Sequence, residues 1–93
     1  MFSWDSRKAA VNLKKHGVSF EEAASAFSDE AGLDWEDLGH SDEEDRRKRL
    51  ATSETERVLL IVYTVRKLKS GKETIRIISA RSASRKERNF YFG

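Results

Sequence analysis

The stretch Arg57-Val58-Leu59-Leu60-Ile61-Val62-Tyr63-Thr64-Val65-Arg66 decides the fold. Every residue from Val58 to Val65 is apolar, aromatic or β-branched, so both alternating faces are built to be covered. That pattern reads as a central strand packed on both sides. The run is far too short for a bilayer, which needs about 20 apolar residues. Lys67–Glu73 follows, with Ser70-Gly71 inside it, and reads as the turn of a hairpin. Thr74–Ala80 is the second arm.

Working outward, Arg46-Arg47-Lys48-Arg49 leads into Leu50 and reads as an exposed edge strand. Cations on such an edge discourage sheet-to-sheet pairing. Residues 31–38 alternate Leu33, Trp35 and Asp37 with Asp34, Glu36 and Leu38, a further short strand broken at Gly39. His40–Glu44 is polar and carries the capping spacing Ser41-x-x-Glu44. At the N-terminus Phe2-Ser3-Trp4 is a short strand, and Asp5 caps a helix over 6–16 that Gly17 ends. Ala9, Leu13 and His16 fall on one face of it. Ser19…Glu22 is a second cap, ahead of Phe20, Ala23, Ala24 and Phe27 at helical spacing, with Glu21 and Glu22 facing outward. Ser82–Phe92 returns to helical spacing behind a Ser84…Glu87 cap. The order is β-α-α-β-β-β-β-α. The expectation is one α+β domain over 1–93, with two N-terminal helices, an antiparallel sheet of four to five strands and a C-terminal helix.

The charge is unevenly placed. Ninety-three residues hold 18 Lys+Arg and 16 Asp+Glu. Residues 1–45 carry 4 basic and 12 acidic side chains, a net −8, and residues 46–93 carry 14 and 4, a net +10. Between Glu21 and Asp45 there are 11 acids and no base. Such a split points to a polyanion partner for one half, or to complementary charged surfaces. Cysteine is absent, which removes disulfides, thiolate metal sites and cysteine nucleophiles. Proline is absent too, so no rigid linker divides the chain. The start, MFSWDSRK, lacks the apolar stretch of a signal peptide. A cytoplasmic protein without membrane contact is the expectation.

Phosphate-directed chemistry fits the remaining residues. Arg66 ends one hairpin arm and Arg76 begins the other. A loop centred on Gly71 sets them directly opposite, where like charges repel and a phosphate between them relieves the repulsion. A loop centred between Ser70 and Gly71 sets Arg66 against Ile75 instead. Arg81 ends the second arm and can join the cluster; solvated edge arginines are the competing reading. Lys14, Lys15 and His16 close the first helix, where cations complement the dipole. Lys15 and His16 are either a phosphate or proton-donor pair or simple helix-end residues. Arg46, Arg47, Lys48 and Arg49 form the strongest local positive charge, suited to an RNA backbone. The two histidines lie 24 positions apart and the acidic run 42–45 lacks calcium-loop spacing, so neither metal nor cofactor is expected. No Gly-rich phosphate loop or Gly-x-Ser-x-Gly elbow occurs. RNA cleavage by the substrate's own 2′-OH needs only a base, an acid and charge neutralisation.

The residues also match a family. The pieces are Phe2-x-Trp4-Asp5-x-x-Lys8, Asn12-x-x-Lys15-His16-Gly17-Val18-Ser19-Phe20-Glu21-Glu22-Ala23 and Phe27-x-Asp29. They continue with His40-Ser41-x-x-Glu44-x-Arg46, Tyr63-Thr64-x-Arg66, Ile75-Arg76-Ile77-Ile78-Ser79-Ala80-Arg81-x-Ala83 and Glu87-Arg88-x-x-Tyr91. Nearly end to end, the chain resembles the BrnT family of bacterial type II toxins, which are similar in fold to the RelE ribonuclease toxins. The resemblance implies an endoribonuclease that arrests translation. It implies a BrnA-like ribbon-helix-helix antitoxin, through which alone the complex meets operator DNA. It makes Lys15, His16, Glu44, Arg66, Arg76 and Arg81 the site candidates, with the three arginines on the phosphate, Glu44 as base and Lys15 or His16 as acid. The chain departs from the family where Arg47, Lys48 and Arg49 replace apolar residues, so that strand is expected to be short, frayed or displaced. A non-catalytic nucleic-acid or protein-binding module is the alternative.

Overall fold

The computed structural model describes residues 1–40 and 45–93. Its elements are β1 (Phe2–Ser3), α1 (Ser6–His16), α2 (Phe20–Ser25), a 3-10 turn (Ala26–Ser28), β2 (Leu33–Glu36), a second 3-10 turn (Leu38–His40), β3 (Arg46–Thr52), β4 (Val58–Lys67), β5 (Glu73–Ser82) and α3 (Arg85–Phe92). This is the order read from the sequence. The sheet runs β1-β5-β4-β3-β2, with β4 at its centre. β2 to β5 are antiparallel, and β1 joins β5 in parallel.

The two faces of β4 carry two clusters. Leu59 and Ile61 meet Val18, Phe20, Ala23, Ala26, Ala51, Ile77 and Ala80, with Phe2, Trp4 and Phe27 against them. This is the main core, under α1 and α2. Each fully buried large side chain there contributes about 1.5–3 kcal/mol. Leu50, Val58 and Leu60 point the other way, toward Ala83 and Tyr91 at α3. Phe2, Trp4, Phe20, Phe27 and Tyr63 meet as edge-on or tilted ring pairs, Phe2 and Tyr63 on Phe27 and Trp4 on Phe20.

The caps at Asp5, Gly17 and Ser84 act where the sequence placed them, and the Ser41-x-x-Glu44 spacing lies outside the described residues. The Asp5 carboxylate accepts from the N–H groups of Arg7 and Lys8, and Gly17 closes α1 at φ 69°. That conformation favours glycine. Ser84 and Glu87 form a complete capping box on α3. α1, however, does not bury the Ala9–Leu13–His16 face. Leu13 and His16 are exposed, and Asn12 is the buried residue. Its side-chain amide donates to the carbonyls of Val18 and Ala80 and accepts from the Ala80 N–H. It thereby satisfies the edge of β5 beyond the end of β1.

Three further expectations are corrected. The Arg46–Arg49 run is not an edge: β3 lies between β4 and β2, paired along its whole length. Nor is it frayed, for Arg46–Thr52 forms seven residues of strand. The reason is Arg49, which is 8% exposed. Its guanidinium donates to the Ala26 carbonyl at 3.2 Å, the Asp29 carbonyl at 2.6 Å and the Asp34 carboxylate at 2.6 Å, and lies over the Phe27 ring. Second, Glu22 faces inward. Ser19 caps α2 alone, while the Glu22 carboxylate accepts from Ser53, Thr55 and Arg57. Third, the hairpin register is Arg66↔Thr74 and Thr64↔Arg76, with a shift between Val62 and Tyr63 that leaves Ile78 as the extra residue of β5. Arg66 and Arg76 are therefore diagonal, not opposite.

Gly32 and Glu22 give two stability tests. A Cβ on Gly32 would stand 2.3 Å from Nη2 of Arg49, so Gly32→Ala is expected to cost about 1–3 kcal/mol in a denaturant melt. Wild-type stability in Gly32→Ala would show that Arg49 moves freely. The Arg57 guanidinium, then the Thr55 and Ser53 hydroxyls, hold the Glu22 pKa down at about 2, against desolvation. A depressed carboxylate stabilises the fold above its unfolded pKa, near 4.5 here, and the contribution fades as pH falls toward 2. Glu22→Gln should cost about 2 kcal/mol at pH 7, tempered by the partial exposure of Arg57, and flatten the acid limb of stability against pH.

Candidate functional site

Strand alternation sorts the cations of the sheet into two sets. Leu59, Ile61 and Tyr63 face α1 and α2, and so do their cross-strand partners Ala51, Arg49 and Arg47. The remaining positions face the α3 side. Arg46 pairs with Thr64, Thr64 with Arg76, and Arg76 with Ser3. One row thus reads Arg46–Thr64–Arg76–Ser3 across four strands. Arg66 and Lys48 belong to the same face, one step along β4 and β3. α3 covers the other end of this face, over Leu50, Val58 and Leu60. At the open end Arg66 is exposed, and Arg46, Lys48 and Arg76 are half-buried.

Arg46 and Arg76 flank Thr64 at two strand spacings, about 10 Å apart at the backbone. Both lie on the same face, one on either side of Thr64. Thr64 is 2% exposed, and its hydroxyl has no hydrogen-bond partner among the described residues. A buried unpaired hydroxyl is uncommon and marks a place where a further group can bond. The sequence reading gave Thr64 no role. Its position two residues before Arg66 was the available signal, since i and i+2 in a strand share a face.

The other candidates are placed as follows. Arg81 shares the α3-side face, but its two terminal nitrogens donate to the two Glu87 carboxylate oxygens at 2.8 and 2.9 Å. Arg81, then the Ser84 backbone, holds the Glu87 pKa at about 2, against desolvation. Lys15 and His16 are not on the sheet face. They line a groove of about 320 Å³ between α1 and β5, with Arg7, Lys8, Asn12 and Ser79. Ser79 pairs with Val62, so this groove borders the open face at the β5 edge. Arg76 lies near enough to Asp5, at the start of α1, to add to the backbone hydrogen bonds of Lys8 and Arg7 that lower its pKa. Arg47 points to the opposite face and pairs with Asp45 at 3.3 Å. Arg49 is spent inside the fold, which corrects its expected place on an RNA surface. Glu44, the expected base, lies outside the described residues. Tyr91 donates its hydroxyl to Asp29 and accepts from Thr52. Among the described residues, no three His, Asp or Glu side chains are grouped to hold a metal ion. No described helix is long and apolar enough to cross a membrane.

The chain matches, over residues 4–87, a family model described as the ribonuclease toxin BrnT of a type II toxin–antitoxin system. The chain belongs to the BrnT toxin family. The crystal structure of the Brucella abortus ribonuclease toxin BrnT superposes on 91% of this chain and 99% of its own, with a TM-score of 0.63. At 20% identity that likeness is one of fold, and the α+β, RelE-like arrangement agrees with it. No curated protein matches on sequence. A ribonuclease toxin has RNA as its substrate, and a type II system supplies an antitoxin as its partner.

The Arg81–Glu87 pair is partly exposed and joins β5 to α3. Arg81→Ala is expected to lower stability by about 1 kcal/mol. Glu87→Gln should lose a similar amount by weakening the same pair. Equal melting temperatures for both variants and wild type would show that the pair does not hold α3.

Proposed function

We propose that this protein is a metal-independent endoribonuclease that arrests translation by cleaving RNA at the open end of the sheet. The observation that carries this reading is the convergence of Arg46, Lys48, Arg66 and Arg76 on one face, around a Thr64 hydroxyl without a partner among the described residues, in a member of a ribonuclease toxin family. Arg66 and Arg76 neutralise the scissile phosphate, whose charge grows as the phosphorus becomes pentacoordinate. Preorganised donors at such a centre stabilise the transition state more than the ground state. Arg46 and Lys48 hold the flanking backbone. The Thr64 hydroxyl donates to a phosphate oxygen from below.

In the step itself a base takes the 2′-OH proton, and the freed oxygen attacks the adjacent phosphorus. The bond to the 5′ oxygen breaks, an acid returns a proton to that oxygen, and a 2′,3′-cyclic phosphate remains. Glu44, two residues before Arg46 in the chain, is the proposed base. Lys15 or His16, at the groove bordering the face, is the proposed acid. Arg81 contributes by fixing α3 through Glu87 and reaches phosphate only when that pair opens. The antitoxin is a BrnA-like ribbon-helix-helix protein, and the complex reaches operator DNA through it. The whole chain, 1–93, acts as one domain in the cytoplasm.

The test is incubation of folded protein with total RNA at neutral pH in EDTA. Cleavage ending in cyclic phosphate is expected. Arg76→Ala and Arg66→Ala should each reduce the rate at least about 100-fold, with melting temperatures near wild type. Full activity in both would sink the phosphate assignment. Salt-sensitive RNA binding without products would favour a binding module instead.

A further inference from the structure

A second feature lies on the same side of the sheet as the basic cluster but at the β2 edge, where Trp35 pairs with Lys48. Leu33 and Trp35 of β2, Leu50 of β3 and Phe90 of α3 line a groove of about 560 Å³, with Lys86 and Glu87 beside it. Phe90 is 68% exposed and Trp35 is 41% exposed. Two aromatic side chains left in water around one apolar groove mark an interaction surface.

The sheet edge says what shape fits it. β2 is the last strand in the sheet order. The Asp37 N–H donates to the Arg46 carbonyl at 2.9 Å. That bond fixes the phase of the ladder: Leu33 and Trp35, like Asp37, turn their backbone groups toward β3. Asp34 and Glu36 then turn theirs outward. Two N–H and two C=O groups are in register for a further strand. Side chains of such a strand on the α3 side continue the row of Leu33 and Trp35, beside Phe90.

Charge says what composition fits. Glu36 at the end of β2 and Glu30 just before the strand are exposed, in a stretch, 21–45, that holds no base. A symmetric pairing of two copies along β2 would bring these acids against themselves, which is unfavourable. An extended segment with alternating apolar side chains and flanking Lys or Arg satisfies the groove, the backbone and the charge together.

We propose that the β2 edge and the groove beside it dock a basic extended segment of the antitoxin, which adds as a sixth strand. The proposal rests on the toxin–antitoxin reading for its partner. The probe is a purified BrnA-like ribbon-helix-helix antitoxin, titrated against wild type, Phe90→Asp and Glu36→Lys. Each variant is expected to raise the Kd at least tenfold, while RNA cleavage by the free variant stays within twofold of wild type and so reports an intact fold. Wild-type affinity in both variants overturns the docking site and leaves the partner reading standing. No binding by wild type overturns both. A concentration-dependent dimer of the chain alone, abolished in Phe90→Asp, overturns the proposal in favour of a second copy as occupant.

Discussion

The Arg49 guanidinium is the constraint on which the sheet depends. It projects from β3 beneath the 3-10 turn Ala26–Ser28 and binds two backbone carbonyls of that turn and its cap, Asp29, and one carboxylate of β2. A buried cation is costly unless paired, so these contacts are mutually required. Gly32 is the only residue type that leaves room for the head group there. Asp34, held by Arg49, also accepts from the Tyr63 hydroxyl. That bond ties β2 to the centre of the sheet, and burial followed by the Asp34 bond pushes the Tyr63 pKa up to about 12. With β2 and β3 fixed in this way, the register that sets Arg46 beside Thr64 is fixed as well.

The charge asymmetry has a double origin. Part of it is internal. Glu22 binds Arg57, Asp34 binds Arg49 and Asp45 binds Arg47, and the first two of these pairs link distant parts of the chain. The Glu22–Arg57 and Asp34–Arg49 charges cancel within the fold, while Asp45–Arg47 is an exposed pair. What remains is segregated by position. Arg46, Lys48, Arg66 and Arg76 share one sheet face, and the basic residues of α1 lie at the adjoining edge. Exposed acids stand at the opposite edge, Glu36 on β2 and Glu30 in the turn before it. The β1 and β2 sides of the sheet therefore differ in sign, which a net charge of +2 conceals.

Much of the fold was legible because its signals are local. Val58–Val65 has no polar face, Ser70-Gly71 makes a turn, and Asp5, Gly17 and Ser84 are capping residues wherever they fall in such contexts. What was illegible depends on contacts distant in sequence. A run of four cations resembles an edge strand until Asp34, fifteen residues earlier, is known to receive one of them. Glu22 stands at capping spacing behind Ser19, yet its partner is Arg57, thirty-five residues on. In the candidate site, the hairpin reading set Arg66 and Arg76 on adjacent arms, and the register makes them diagonal. That reading did not reveal that Arg81 is clamped by Glu87 or that Thr64 lies between two arginines, because both facts follow from register.

The extra residue in β5 has a consequence for how this chain can change. Arg76 and Arg81 are five positions apart, an odd interval that a regular strand would turn to opposite sides. Ile78 absorbs the odd step, so both arginines emerge on the α3 side while Ile77 and Ala80 both enter the core. The bulge thus behaves as a phase corrector. Removing one residue between Arg76 and Arg81 would not merely shorten a strand. Beyond the deletion it would invert the strand, carrying Arg81 into an apolar interior and Ala80 out of it. The length of this segment is therefore under a stricter constraint than its composition: substitutions among small or apolar residues are tolerable, and changes in count are not.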